Sequence, residues 1–341
     1  MKKRFSVIGA WILSVSLLLT ACGGGNNTAG GNGGEGGSSG EKPKRIALVM
    51  RQNVGTFSAQ YIAGVKAEVE KNGGELTVFN ADTDLAKMAS NLDAAVNQRF
   101  DGILIDHGTA EALQQGAEKA VKQNIPLVLF DTDIKLPGVP VVEQDDQKLA
   151  ELSLEKLAED TGGKGNIVKI WVAGFAPMEK RQITYEAFLK KYPDIKEIAA
   201  FGSATNNTAL DTQSQMEAIL KKYPNKGDIT AVWASWDEFA KGATRAIQQA
   251  GRTEIKVYSI DLSDEDLQFI QDPSTSWVAT AAVDPGNIGR IQAQTVFQKI
   301  KGEQVPDSVK LNPVLVKRED LPTDKKITMG ELSQYVSEWG K

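Results

Sequence analysis

Cysteine occurs once in the 341 residues, as Cys22, and histidine once, as His107. A single cysteine excludes a disulfide framework and a cysteine metal site. A lone histidine builds by itself neither a catalytic triad nor a multi-histidine metal centre. Basic blocks are missing too: lysine and arginine number 39 against 44 acids, a net charge of −5, and loss of Lys2, Lys3 and Arg4 with a leader takes it to −8. A protein that tracks nucleic-acid backbones needs a basic surface, so nucleic acid is disfavoured as a partner. No P-loop occurs, and no G-x-G-x-x-G follows a strand. The acidic stretch 261–268, DLSDEDLQ, lacks the glycine and glutamate of a calcium hand. No cofactor and no metal is therefore expected.

What the chain does contain is 41% hydrophobic and 24% charged residues, enough for two ordinary α/β-sized domains with a cleft between them. It starts MKKRFSVIGAWILSVSLLLTAC. The apolar stretch from Phe5 to Leu19 is shorter than the ~20 residues of a membrane-spanning helix, and small residues precede the cysteine. This start resembles a bacterial lipoprotein signal peptide, which implies a leader over 1–21 and a lipidated Cys22. Residues 22–43 then form a flexible glycine-rich linker, poor in apolar side chains. Its Gly36-Gly37-Ser38-Ser39-Gly40 matches the nucleophile-elbow pattern only by chance, since the motif needs a strand before it and a helix after it.

From Lys44 onward, short apolar runs alternate with amphipathic stretches, the pattern of β-α units wound into parallel sheets. Strands are expected at 46–50, 76–79, 102–106, 127–131, 167–172, 197–201, 229–234, 255–261, 277–282 and 314–317. Ile62, Val65 and Val69, then Leu85, Met88, Leu92 and Val96, recur at helical spacing. Pro137-Gly138-Val139-Pro140 and the acidic 143–146 interrupt the pattern after a first lobe, and Asp284-Pro285-Gly286 marks a second break.

The segments IALVM (46–50), RFDGILID (99–106), NIPLVLFDTD (124–133), AVWASWDEFAKGATRAIQQAG (231–251), VYSIDLS (257–263) and ATAAVDPGNIG (279–289) together resemble the type I periplasmic sugar-binding proteins of ABC importers, the class of the ribose-binding protein. The resemblance implies two doubly wound parallel-sheet lobes joined by a hinge. An N-terminal lobe would take 44–145 plus about 284–305, and a C-terminal lobe 146–283 plus about 306–341.

Ligands of open α/β sheets bind beyond the carboxyl ends of the strands. Asp106, Asp131, Asp237, Asp261 and Asp284 all sit there, and carboxylates accept sugar hydroxyls, so the set points to a hydroxyl-rich or cationic ligand. Each also reads as a helix N-cap, as does Thr132. The resemblance implies that Phe57 is the cleft aromatic, that Trp236 stands where relatives usually carry asparagine, and that Arg51 replaces a small polar residue. Asn207 matches a cleft contact or is a turn residue. Arg181 or Thr184 fills the position of the ligand-binding arginine. His107, after Asp106, is a second-line candidate.

The implied activity is that of a non-enzymatic, monomeric lipoprotein held to the outer face of the cell membrane. It would capture a sugar or polyol and deliver it to an ABC permease. A sensor of the same fold that signals to a membrane receptor, or a carbohydrate-active enzyme using two of the aspartates, remains as an alternative.

Overall fold

Five consecutive apolar residues, Ile46 to Met50, can be buried only in a strand covered on both faces. The computed structural model describes residues 42–340, so the expected leader, Cys22 and all but the end of the expected linker lie outside the described residues. In it Ile46, Leu48 and Met50 pack against Tyr61 and Val65, while Ala47 and Val49 face Met88 and Leu92. Each such burial stabilises by roughly 1.5–3 kcal/mol for the larger side chains.

The chain runs β1 (Lys44–Met50), α1 (Gly55–Lys71), β2 (Gly74–Asn80), α2 (Leu85–Asn97), β3 (Gly102–Asp106), α3 (Ala110–Lys122), β4 (Leu127–Phe130) and β5 (Val141–Gln144). It continues through α4 (Asp146–Thr161), β6 (Lys164–Ile170), α5 (Ala176–Lys191), β7 (Asp194–Phe201), α6 (Thr208–Lys222), β8 (Ala231–Ala234), α7 (Asp237–Gln249), β9 (Lys256–Ile260) and α8 (Asp264–Gln271). β10 (Trp277–Ala282), α9 (Pro285–Ile300), β11 (Ser308–Leu311) and β12 (Val314–Lys317) follow, and 3-10 turns at Arg318–Asp320 and Met329–Gln334 end the series.

Two six-stranded sheets result, ordered β2-β1-β3-β4-β5-β11 and β7-β6-β8-β9-β10-β12. All neighbours are parallel except β12, which runs antiparallel to β10. Both sheets therefore share one doubly wound order and switch direction between β1 and β3, or between β6 and β8. The chain crosses between them after β5, after β10 and after β11.

Two short strands depart from the expected series. β5 lies inside the stretch that looked like an interruption, and β11 pairs with β5 in register Ser308↔Val141. The last crossing thus follows Leu311 rather than about 305, because a four-residue strand at a sheet edge leaves almost no periodic signal. The tail beyond Pro322 packs on the second lobe: Ile327, Met329, Leu332 and Trp339 join its core.

Helix α9 lies along α1, and glycine permits the approach. A Cβ on Gly64 would stand 2.1 Å from the carbonyl oxygen of Gly286, and one on Gly289 would stand 2.2 Å from that of Tyr61. Helix α1 is thereby set against the first sheet with Phe57, Ser58 and Tyr61 bordering the space between the lobes.

Candidate ligand-binding site

Between the carboxyl ends of the two sheets lies a cavity with about 600 Å³ of non-atom space. The first lobe lines it with Gln52, Phe57, Ser58, Tyr61, Asp106, His107, Phe130 and Gln144. The second contributes Val172, Phe175, Pro177, Met178, Arg181, Trp236 and Asp261. Nine of these stand at a strand's last residue or in the loop directly after it: Gln52, Asp106, His107, Phe130, Gln144, Val172, Phe175, Trp236 and Asp261.

The polar side chains form two clusters. Arg181, 2% exposed, donates through Nε to Asp146 Oδ1 (3.0 Å), through Nη1 to the Ser235 carbonyl (2.6 Å) and Asp261 Oδ2 (3.1 Å), and through Nη2 to Asp261 Oδ1 (3.4 Å). Burial opposes its charge, but the carboxylates of Asp261 and Asp146 hold the guanidinium firmly protonated. Across the cavity His107 Nδ1 bonds Asp106 Oδ1, and its Nε2 lies 4.0 Å from Asp131 Oδ2. Burial would lower the imidazole's pKa, yet Asp106 beside it outweighs this and pushes it up to about 9. Asp131 is pushed up to about 7, first by burial and then by the nearby charge of Asp146.

Three of the strand-end residues have left-handed backbone: His107 (φ 57°), Asp131 (φ 43°) and Asp261 (φ 72°). Aspartate tolerates this region better than most residues because its short side chain can bond locally. The sharp turn lets the chain leave each sheet while its side chain stays in the interlobe space.

Five of the expected site residues meet in the cavity: Phe57, Asp106, Arg181, Trp236 and Asp261, with His107 beside them. Arg181 rather than Thr184 reaches it; the Thr184 hydroxyl donates instead to the Gln147 carbonyl at 3.5 Å. The other six are displaced, each for a local reason. Arg51 stacks on Phe175, its guanidinium carbon 3.5 Å from the ring centroid, and donates to the Gly174 carbonyl. It joins the lobes behind the cavity wall. Asp131 is buried and accepts from the backbone and side-chain nitrogens of Gln144 (3.2 and 3.1 Å). Thr132 accepts from Ile134 N at 3.1 Å and borders a separate groove.

Asp284 is an N-cap of α9, accepting from Gly286 N (2.8 Å) and Asn287 N (3.3 Å). Asn207 is exposed at the start of α6, its backbone nitrogen donating to Thr205 Oγ1 (3.0 Å). Asp237 is fully buried on α7, 3.6 Å from Lys241, in a cluster with Glu238 and Asp266. Burial first, and then the carboxylate of Asp266, raises its pKa.

Gln52 and Gln144 escaped sequence reasoning although both follow the rule of the strand end; an acid-centred search passed over neutral amides. Tyr61, Phe130, Phe175 and Met178 carry no separate signal, since buried apolar residues at helix or strand ends read as core.

Residues 46–304 match the periplasmic binding protein domain. The chain belongs to the periplasmic binding protein family. Solved structures similar to this family member include a sugar ABC transporter protein from Yersinia enterocolitica, 35% identical, covering 88% of this chain and 91% of that one with a TM-score of 0.85. Another is the 5-methylthioribose transporter solute-binding protein from Thermotoga lettingae, 37% identical over 88% and 95% of the two chains, TM-score 0.84. Among curated proteins, the xylitol-binding protein of Mycolicibacterium smegmatis is 27% identical over 94% of this chain and 83% of its own. Periplasmic binding proteins work outside the cytoplasm, and these relatives are binding and import proteins rather than enzymes. The two-lobed architecture, the α/β class and the solute-binding role expected from the sequence are those of the family.

Proposed function

We propose that this periplasmic binding protein captures a neutral sugar or polyol between its lobes and presents it to an ABC permease. The observation that carries the reading is the pairing inside the cavity. Asp261 is neutralised by Arg181, and Asp106 by the protonated His107. The acids that suggested either hydroxyls or a cation are thus already matched by internal cations. What remains is a set of hydrogen-bonding groups for an uncharged, hydroxyl-rich solute.

The second lobe also lines the cavity with apolar side chains, Val172, Phe175, Pro177, Met178 and Trp236. Aromatic faces there suit a sugar ring, and Met178 suits a substituent without hydroxyls. A pentose with an alkylthio group, the kind of solute named for the Thermotoga relative, fits such a cavity, and 5-methylthioribose is the first candidate. Calorimetry on the body from Lys44 with D-ribose, xylitol, allitol and 5-methylthioribose tests this. Micromolar binding, about −8 kcal/mol, to at least one is expected. No heat from any of them would remove the sugar reading, and binding of ribose alone would remove the alkylthio refinement.

The same proposal holds the receptor as a monomer, tethered to the membrane through lipidated Cys22 with 22–43 as its spacer. Intact mass of the membrane fraction should show the acylated cysteine, and Cys22→Ala should release the protein from that fraction.

A further inference from the structure

On the sugar reading, the neutral amide of Gln144 at the end of β5 also borders the solute. Resting on that reading, we propose that Gln144 presents the hydrogen-bond acceptor that receives one ligand hydroxyl, and that Asp131 is the positioning residue that turns its amide that way.

Gln144 is the last residue of β5, lines the cavity and is 2% exposed. Asp131 Oδ1 accepts from the Gln144 backbone nitrogen (3.2 Å) and Oδ2 from its Nε2 (3.1 Å). An ionised carboxylate only accepts, so the NH₂ of the amide must face Asp131 and the carbonyl must face away. That carbonyl oxygen, Oε1, is buried with no partner. A buried acceptor left without a donor is costly, whereas a hydroxyl donating to it removes the cost. The site therefore demands a donor at one position of the sugar. A site built to hydrogen-bond a hydroxyl rejects analogues that lack it far more strongly than an apolar pocket rejects a change of size.

Asp131 does not reach the solute itself. Its side chain is fully buried between His107, 4.0 Å away, and Gln144. Besides His107, its titratable surroundings are Asp146, Arg181, Lys180 and Tyr61. Gln144 also directly precedes the first crossing to the second lobe, so a ligand bond there pulls on the strand that enters the hinge.

The test uses D-ribose and 5-methylthioribose, each with one hydroxyl at a time replaced by fluorine, which cannot donate. Wild type is titrated at pH 8.5, where Asp131 is ionised, alongside Gln144→Leu and Asp131→Asn. One fluoro analogue should bind wild type at least tenfold more weakly than its parent, and Gln144→Leu should close that gap to within about threefold while leaving the other gaps in place. In Asp131→Asn the new amide must still accept from the Gln144 backbone, so its NH₂ turns the Gln144 carbonyl away from the cavity, and the same gap should close. Gaps unchanged in Gln144→Leu would overturn the assignment. A gap that closes in Gln144→Leu but persists in a folded Asp131→Asn would overturn the positioning role. Thermal melts report folding, and Gln144→Leu carries the test if Asp131→Asn does not fold. Failure of wild type to bind either parent sugar would instead remove the reading on which this assignment rests.

Discussion

Arg181 and His107 hold the cavity's charges from opposite lobes, and they differ in what pH can do to them. Arg181 stays charged throughout, so its bonds to Asp146 and Asp261 are constant. His107 titrates. Its folded pKa is raised from 6.5 to about 9 because the ion pair with Asp106 outweighs burial. A raised pKa means that its stabilisation is complete below about 6.5 and is lost as pH climbs through about 9. Each pKa unit corresponds to about 1.4 kcal/mol, so a contribution of about 1–3 kcal/mol is at stake. His107→Asn keeps a residue that tolerates the left-handed backbone but removes the charge. Urea midpoints of wild type and variant should differ most below pH 6.5 and converge above about pH 9. A gap independent of pH would mean that folding leaves the pKa of the imidazole unshifted. At this scale the sequence was half legible. The strand-end rule located Asp106 and Asp261, and the family resemblance located Trp236, but the same rule applied to Asp284 and Asp237 found an N-cap and a residue buried beside Lys241. Local sequence gives the position on the strand; which way the side chain turns depends on the helix packed behind it.

Helices α1 and α9 show how an element far along the chain can set the site. They are joined through Gly64 and Gly289, where any Cβ would meet backbone carbonyl oxygens, which cannot swing aside as a side chain can. Gly64→Ala or Gly289→Ala must push the helices apart, and over-packing of this kind costs about 1–3 kcal/mol. The urea midpoint should fall with an unchanged slope, and sugar affinity should fall with it, because Phe57, Ser58 and Tyr61 ride on α1. Unchanged stability in both variants would show that the two helices can slide. Most elements were legible because buried strands such as Ile46–Met50 and Gly102–Asp106 are continuous apolar runs. β5 and β11 were not: at four residues each, with half-polar edges, they acquire strand geometry only from their neighbours in the sheet.

Over the whole molecule, the lobes meet through side chains that do not line the cavity. Thr56 Oγ1 donates to Glu265 Oε2 (3.0 Å), and Gln60 Nε2 donates to Asp264 Oδ2 (2.7 Å) while its Oε1 accepts from Asp264 N (3.2 Å). Asp264 Oδ1 meanwhile accepts from Met329 N (2.7 Å), so the C-terminal tail braces the acceptor on the second lobe's side of this seam. Such bonds exist only while the lobes are together, and they add to the closed state whichever solute is inside. Apparent affinity scales with the fraction of molecules that are closed, so weakening the seam must weaken every ligand by one common factor. Replacing the pair by Thr56→Val with Gln60→Leu removes three bonds worth about 1–3 kcal/mol together, a loss of roughly fivefold or more. Calorimetry should give the same ratio between 5-methylthioribose and D-ribose in variant and wild type, with both affinities reduced. Small-angle scattering should show that the variant needs a higher solute concentration to reach the compact dimensions. A changed ratio between the two sugars would place Thr56 or Gln60 in contact with the solute, and unchanged affinities would mean that the seam contributes nothing to closure.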